Sequence, residues 1–466
     1  MFPSSFCFAL QYAHLTTYAI SLGVSEAYAS LVWLCGPVTG MIVQPLIGRV
    51  SDSCKSRLGR RRPFIIGGSV FLILSQLLVA FSIDLGSSLG DVGVSHSAAI
   101  AIFVASFWIF DAANNVLAIS LRALISDIVP EESIQSAFSL QQLWSSLGYI
   151  AGYFVSQVDW SVRTKALSSA VCPASCGLGL CPLSFVHGCF DLRISFGISS
   201  IITLVFVALV VIFAREASFS VSGRQYAPLG NAISSIPEKF RVIFVASLLS
   251  WFGWFSALIY QVHFVSSEVT GQLSSASERK AFFGLMLGSV LSAVVSLLLP
   301  WILKSTTHAD FVSRSFKVWS LSCCALSIVL IVSPLVALTG SDLIGVAWLA
   351  SFGLVYAVAN SVPYSVLSAM LKETPSRDTP GRLLGLLNVA ICLPQIATSL
   401  IGGPLNSKFR SDVPTFVLGG ICAGIAGSIL WSRAGGSEAS DRLAHGICGE
   451  KARVLGKKSD VAEQEG

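Results

Sequence analysis

Asp111, Asn114, Asn115 and Arg122 stand in one apolar stretch, at offsets of 3, 4 and 11 from the aspartate. At about 100° per residue, eleven helical steps return to within about 20° of the start, so all four share a face. The 1.5 Å rise separates carboxylate from guanidinium by about 16 Å, too far to pair directly. Each therefore needs another partner or water, and a path for a polar solute provides one. An ionised side chain in an apolar span costs several kcal/mol and marks a functional site by default, whereas a bridge between helices would leave that expense without a return. Asp111 screened from water can alternate protonation as a proton carrier. Arg122 offers fixed donors to solute hydroxyls or to a carboxylate. Asn114 and Asn115 suit solute binding and helix packing equally.

The densest charge in the chain lies between Gly48 and Pro63, where Asp52, Arg57, Gly59, Arg60, Arg61 and Arg62 are crowded together. Lone basic runs bind phosphates or lipid headgroups. A glycine at a helix end, an aspartate four residues on and a Gly-Arg-Arg-Arg turn instead make a clasp between helix ends, which we read as a gate. Farther on, Trp251 and Trp254 have ring faces able to stack on a sugar, although tryptophan also anchors membrane boundaries. Gln261, a further candidate for solute binding, and His263 and Glu268, candidates for proton coupling, follow them; the histidine titrates near physiological pH, although a lone histidine at a span end is more often a solvated interface residue. Four cysteines, Cys172, Cys176, Cys181 and Cys189, crowd one connection. Disulfides in an oxidising exterior are expected there, with three pairings open if all four bond and a zinc site with His187 as the alternative.

The elements that must position these groups follow from composition. Of 466 residues, 53% are hydrophobic and 12% charged, against roughly 25% charged in a soluble domain. That excludes soluble enzymes, disordered regulators and fibres. Runs near 5–23, 29–49, 64–84, 98–126, 137–157, 194–214, 241–262, 281–303, 315–338, 343–370, 384–405 and 413–432 read as membrane helices, giving an all-α protein of twelve spans. Continuous apolar character excludes a β-barrel, whose strands would alternate. The first run lacks a basic flank and a cleavage site, so it is expected to be a retained span and not a signal peptide. With both termini inside, sixteen basic residues fall in cytoplasmic connections and seven in external ones, which accounts for most of the +5 net charge. Residues 215–240 form a polar linker dividing a six-helix half, 1–214, from another, 241–432, and residues 433–466 read as a disordered cytoplasmic tail. Two such halves are the layout of a secondary transporter with a midplane site. The bilayer and a small solute are the expected partners and nucleic acid is not, since no basic block is interleaved with aromatics.

The 48–63 connection resembles the signature loop of the major facilitator superfamily, which latches cytoplasmic helix ends and gates the cycle. The run Trp33–Gly48, then Ser51-Asp52 and Arg57–Ile65, is similar to the sucrose transporter family of plants and its animal relatives, of the glycoside:cation symporter type. Asp111–Asp127, Gly284–Leu287, Ser361-Val362-Pro363-Tyr364 and Gly385–Pro404 extend that resemblance across the chain. It implies the major facilitator fold, proton-coupled uptake of sucrose or a related glucoside, and the family's helix-4 aspartate and arginine at Asp111 and Arg122. The stretch Leu249–Phe255 also fits. Beyond it, two aspartates usual in the family fall on Gln261 and His263, and an arginine falls on Ser267, leaving Glu268; Glu26 stands where many plant members carry a histidine. His263 is a candidate to have taken over a proton role.

Three readings follow. The first is proton-coupled symport with no cofactor beyond the coupling ion, by a monomer in the plasma membrane or an internal one. The second is a pH-independent facilitator, or a carrier of another polar solute, suggested by Gln261 and His263. The third is a sugar sensor that moves nothing, against which stands the short tail. No nucleotide-binding loop, His-Glu-x-x-His pair or nucleophile elbow is present, so enzymatic activity is not expected.

Overall fold

The computed structural model describes residues 1–12, 18, 22, 34–91, 96–156, 158, 160, 183–214, 216, 238–271, 275–305, 307–373 and 380–434, which are helical with no strand among them. In chain order the helices are α1 Phe2–Leu10, α2 Cys35–Asp52, α3 Arg62–Ala80, α4 Ser97–Ile128, α5 Ile134–Ser156, α6 Leu183–Phe213, α7 Glu238–His263, α8 Ser275–Ile302, α9 His308–Ile331, α10 Asp342–Glu373, α11 Pro380–Phe409 and α12 Val413–Ala434. Among the described residues, nine are long and apolar enough to cross a membrane. α1 is too short to count. α2 and α5 fall below that mark because of their polar residues, Gln44, Arg49 and Asp52 on one and Gln135, Gln141 and Gln142 on the other.

Several boundaries differ from the sequence reading, among them α6, which starts at Leu183 against an expected 194 and so takes in the backbone of Cys189. The stretch 315–338 is not one helix: α9 ends at Ile331, and a short turn, Ser333–Thr339, follows with a proline in its first turn. Pro334 has no N–H to extend the ladder, so the break falls where the missing donor puts it. Likewise α3 stops at Ala80 and a separate turn, Ser82–Ser88, completes the expected 64–84 span. The linker and tail expected at 215–240 and 433–466 lie almost wholly outside the described residues, as do Glu26, Trp33, Cys172, Cys176 and Cys181; of Cys189 and His187 only the backbone is described.

Buried apolar side chains form two clusters. One unites Phe6, Leu10, Phe103, Phe107, Phe110 and Phe196 from α1, α4 and α6. The other gathers residues of α7–α12, including Trp254, Phe264, Trp319, Trp348 and Phe416, and takes in Phe138 of α5, which stacks on Tyr364 of α10 at 6.2 Å. Lipid is as apolar as leucine, so helices in a bilayer associate through close packing of small residues. Gly284 and Gly288, one turn apart on α8, serve this on α10: a Cβ on Gly353 would drive into the Gly288 carbonyl. α6 instead turns Ile201, Leu204, Ile212 and Phe213 outward, as a lipid-facing helix must.

Candidate functional site

The polar stripe of α4 meets α2 in the middle of the bundle. Asp111 is 4% exposed. Its Oδ2 accepts hydrogen bonds from Thr39 Oγ1 of α2 and from Asn115 Nδ2 at 2.9 Å. Asn115, one turn along α4, accepts in turn from Gln44 Nε2 at 2.6 Å. The carboxylate's partners are thus neutral, and no cation among the described residues is one of them. α11 closes the network: Asn388 Nδ2 donates to the Gly40 carbonyl at 2.9 Å and to Cys392 Sγ at 3.2 Å. Gly40 has to be glycine for this approach, because a Cβ there would strike Cys392 Sγ at 2.8 Å and Asn115 Oδ1 at 3.3 Å.

Arg122 lies farther along the same face and does not pair with Asp111. Its guanidinium sits 4.3 Å over the ring of Tyr364 on α10, and its Nε is buried with no hydrogen-bond partner among the described residues. Cation–π contact holds such a group while leaving its in-plane donors free. Asn114 faces α1, accepting from Ser4 Oγ at 2.8 Å, and its Nδ2 is likewise buried without a partner among the described residues. Buried donors without acceptors cost about 1–3 kcal/mol each. Their concentration between α1, α4 and α10 marks a place that a polar guest would satisfy.

Trp254 of α7 belongs to the same region, 5.3 Å from the ring of Tyr356 on α10. Trp251 is buried in the second apolar cluster, and Gln261 is buried farther along α7.

His263 and Glu268 occupy a separate place, at the end of α7 and in the π-helical turn Phe264–Val269. His263 Nδ1 lies 2.7 Å from Asp412 Oδ2, with 59% of its side chain exposed. Glu268 accepts from Asp412 N at 2.6 Å and Ser411 Oγ at 2.7 Å, capping the start of α12, while Asn406 Nδ2 donates to Asp412 at 2.8 Å. The ligand atoms of His263, Glu268 and Asp412 lie within 4.8 Å of one another, but the carboxylate oxygens are already engaged by these donors. The trio is a hydrogen-bonded helix cap in its chemistry, not an open metal centre.

The clasp read in the sequence forms at one end of the bundle. Arg61, with no exposed surface, joins Asp52 at 2.5 Å, Asp127 of α4 at 2.8 Å and Ser51 Oγ at 2.6 Å. Burial opposes its charge, but Asp52 and Asp127 outweigh burial and hold the guanidinium above its ordinary pKa. Arg60 pairs with Asp127 at 2.5 Å. Glu216 accepts the backbone N–H groups of Arg60, Arg61 and Arg62 at 2.7, 3.0 and 3.1 Å. Gly59 makes that turn possible with φ of 102°, in the left-handed region, where a side chain would also meet Glu216. Arg57 is exposed, outside the clasp.

Four contacts tie this end to α9–α11. Asp52 Oδ2 accepts from Arg382 N at 3.0 Å at the start of α11, where a helix N-terminus favours a carboxylate. Gly48 abuts Gly381 so closely that a Cβ would enter its carbonyl. Glu131 meets His308, and Lys372 donates to the Val129 carbonyl. Halfway along, Ser146 of α5 bonds Ser292 of α8 at 2.9 Å.

Thr39, Tyr356 and Glu216 are members that the sequence reading does not single out. Thr39 and Gln44 flank Gly40 in an otherwise apolar run, which is the available signal for α2; nothing local marks Glu216.

The family model of the Major Facilitator Superfamily matches residues 1–399. The sucrose transport protein SUT3 of Oryza sativa subsp. indica is 29% identical over 455 residues, covering 90% of this chain and 88% of that protein. SUC4 of Arabidopsis thaliana is 29% identical over 465 residues, covering 91% and 86%. Among solved structures, a variant of the E. coli fucose:proton symporter FucP superposes with a TM-score of 0.63 at 12% identity over 93% of this chain and 96% of that one. The proton:xylose symporter XylE gives 0.58 at 12% identity over 92% of each.

Proposed function

The chain belongs to the Major Facilitator Superfamily, and from that premise we propose that it carries sucrose or a related disaccharide or glucoside across a membrane together with a proton, by alternating access. It is a multi-pass membrane protein whose relatives are transport proteins, not enzymes. The architecture we assign is twelve spans in two halves, 1–214 and 241–432, with linker, tail and both termini in the cytosol. The resistance of basic residues to translocation favours that side for the 49–62 clasp.

One observation carries the reading. Asp111 and Arg122 are opposite charges on one face of α4, yet each is held by neutral groups, Asp111 by Thr39 and Asn115 and Arg122 by the Tyr364 ring. A carboxylate so held can take and release a proton without breaking an ion pair. Its hydrogen-bond partners remain in place in either state. A guanidinium with a spare donor can bind a sugar hydroxyl, and proton and sugar then share one helix and move with it. Asn114 and Asn115 add neutral donors, and Trp254 a ring face. His263 and Glu268 we assign to the outer end, where they steady α12 and present a titratable group to the exterior. Entry of one positive charge down a potential of 100 mV supplies about 2.3 kcal/mol.

The test is uptake of labelled sucrose, maltose and glucose at pH 5 and pH 7.5, with Asp111→Asn and Arg122→Ala beside the parent. The parent is expected to concentrate a disaccharide more at pH 5 and to lose that gain with an uncoupler. Asp111→Asn should end accumulation and Arg122→Ala should weaken or end uptake. Uptake indifferent to pH and uncoupler would select the facilitator that Gln261 and His263 suggested.

A further inference from the structure

Residues 355–369 of α10 are buried, with two exceptions, Tyr356 and Asn360. These are four apart and so share one face of the helix. Within 355–369 that stripe alone keeps accessible surface. Opposite it stands Tyr149 of α5, also deep in the bundle and also partly accessible. The rings of Tyr149 and Tyr356 meet edge to face, with centres 6.4 Å apart at 75°.

The surroundings fix this pair. Trp254 packs against Tyr356 at 5.3 Å and against Phe352 at 6.0 Å, and Phe352 against Trp348 at 4.9 Å. Asn360 Nδ2 bonds the Tyr356 carbonyl at 3.1 Å. On the other side, Tyr153 stacks on Tyr149 at 6.1 Å. Rings so braced lose little freedom when a guest arrives. The phenols both donate and accept, and nearby aromatic faces suit the C–H surface of a pyranose.

We propose that Tyr149 and Tyr356 read the ring hydroxyls of the transported sugar, which parts them and bonds to both. This rests on the sugar-transport reading above. It adds that recognition bridges the two helix sets: one phenol comes from α5 and the other from α10, so a bound sugar grips both, and its binding biases how they sit.

The experiment compares Tyr149→Phe, Tyr356→Phe and the double variant with the parent in two measurements on the full chain: the concentration dependence of sucrose uptake, and the rise in thermal unfolding temperature in detergent as sucrose is added. Phenylalanine keeps every ring contact, so a purely structural role would leave KM unmoved. Each single variant is expected to raise KM about five- to tenfold, the worth of one hydrogen bond, with maximal rate within about twofold. The sucrose needed for a given thermal shift should rise in parallel. If the parent transports sucrose and both variants keep its KM and its thermal response, the assignment of the pair is overturned while the transport reading stands. If the parent neither transports nor is stabilised by any sugar of the panel, both are overturned together.

Discussion

The middle of the bundle and its basic end treat charge in opposite ways. At the basic end Arg61 is buried against two carboxylates, Arg60 shares one of them, and Glu216 takes three backbone donors. In the middle, Asp111 and Arg122 are on one helix and do not meet. Saturated charge holds a shape; charge held by neutral partners keeps its capacity to react. A buried pair is costly to break, because the partner left behind has no water to turn to.

The largest effect expected from this contrast is at Arg61. Arg61→Met takes the guanidinium from Asp52 and leaves Asp127 to Arg60 alone, and should cost about 3–5 kcal/mol, seen as a collapse of the thermal midpoint and of folded yield in detergent. Arg61→Lys should rescue little of it, since one ammonium cannot reproduce the forked contacts. Retention of parental stability in Arg61→Met would erase the distinction between the two regions. Next comes Asp111→Asn. Its neutral shell is compatible with an amide, so the midpoint should move by less than about 1 kcal/mol while sugar accumulation falls at least about tenfold; a large loss of stability instead would make Asp111 a structural group. Gly48→Ala should follow, pressing a methyl on the Gly381 carbonyl at a cost of about 1–3 kcal/mol, read as increased thiol labelling of a cysteine placed at the basic end. The smallest effect is expected at Glu268→Gln, which weakens the cap of α12 by about 1 kcal/mol or less and should leave KM unchanged.

The contrast also sorts pH effects. Arg61 in the folded chain has a pKa above its ordinary value, so its contribution is complete throughout the range below the usual arginine value and fades only above it. Moving from pH 5 to pH 7.5 therefore leaves the Arg61 charge unaltered. Unfolding midpoints of Asp111→Asn should vary over that window no more than about 1 kcal/mol would allow, and pH dependence of uptake in the parent should vanish with Asp111.

What is legible in the sequence is local. Helical periodicity puts Asp111, Asn115 and Arg122 on one face and correctly keeps the aspartate and arginine apart, because rise per residue is fixed by the backbone. The Gly-Asp-Arg spacing of the 48–63 connection likewise announces a clasp, of which Arg57 is the member the fold leaves outside. What cannot be read is long-range. Thr39 stands 72 residues from Asp111, and Glu216 is 155 from Arg61; no periodicity links them. Tyr149 and Tyr356 look like ordinary membrane aromatics until α5 and α10 are brought together. The end of α9 is marked by Pro334, but apolar character continues through it and hides the break.

Asp52 answers to two partners on different bodies: the guanidinium of Arg61 beside it and the amide at the head of α11. If α11 swings off, Asp52 keeps the Arg61 countercharge, and water can take over the Arg382 amide. Loss of that amide contact leaves the Arg61 pair intact, so this part of the latch can be undone and remade with a small toll each way. A joint built thus is a hinge catch rather than a weld.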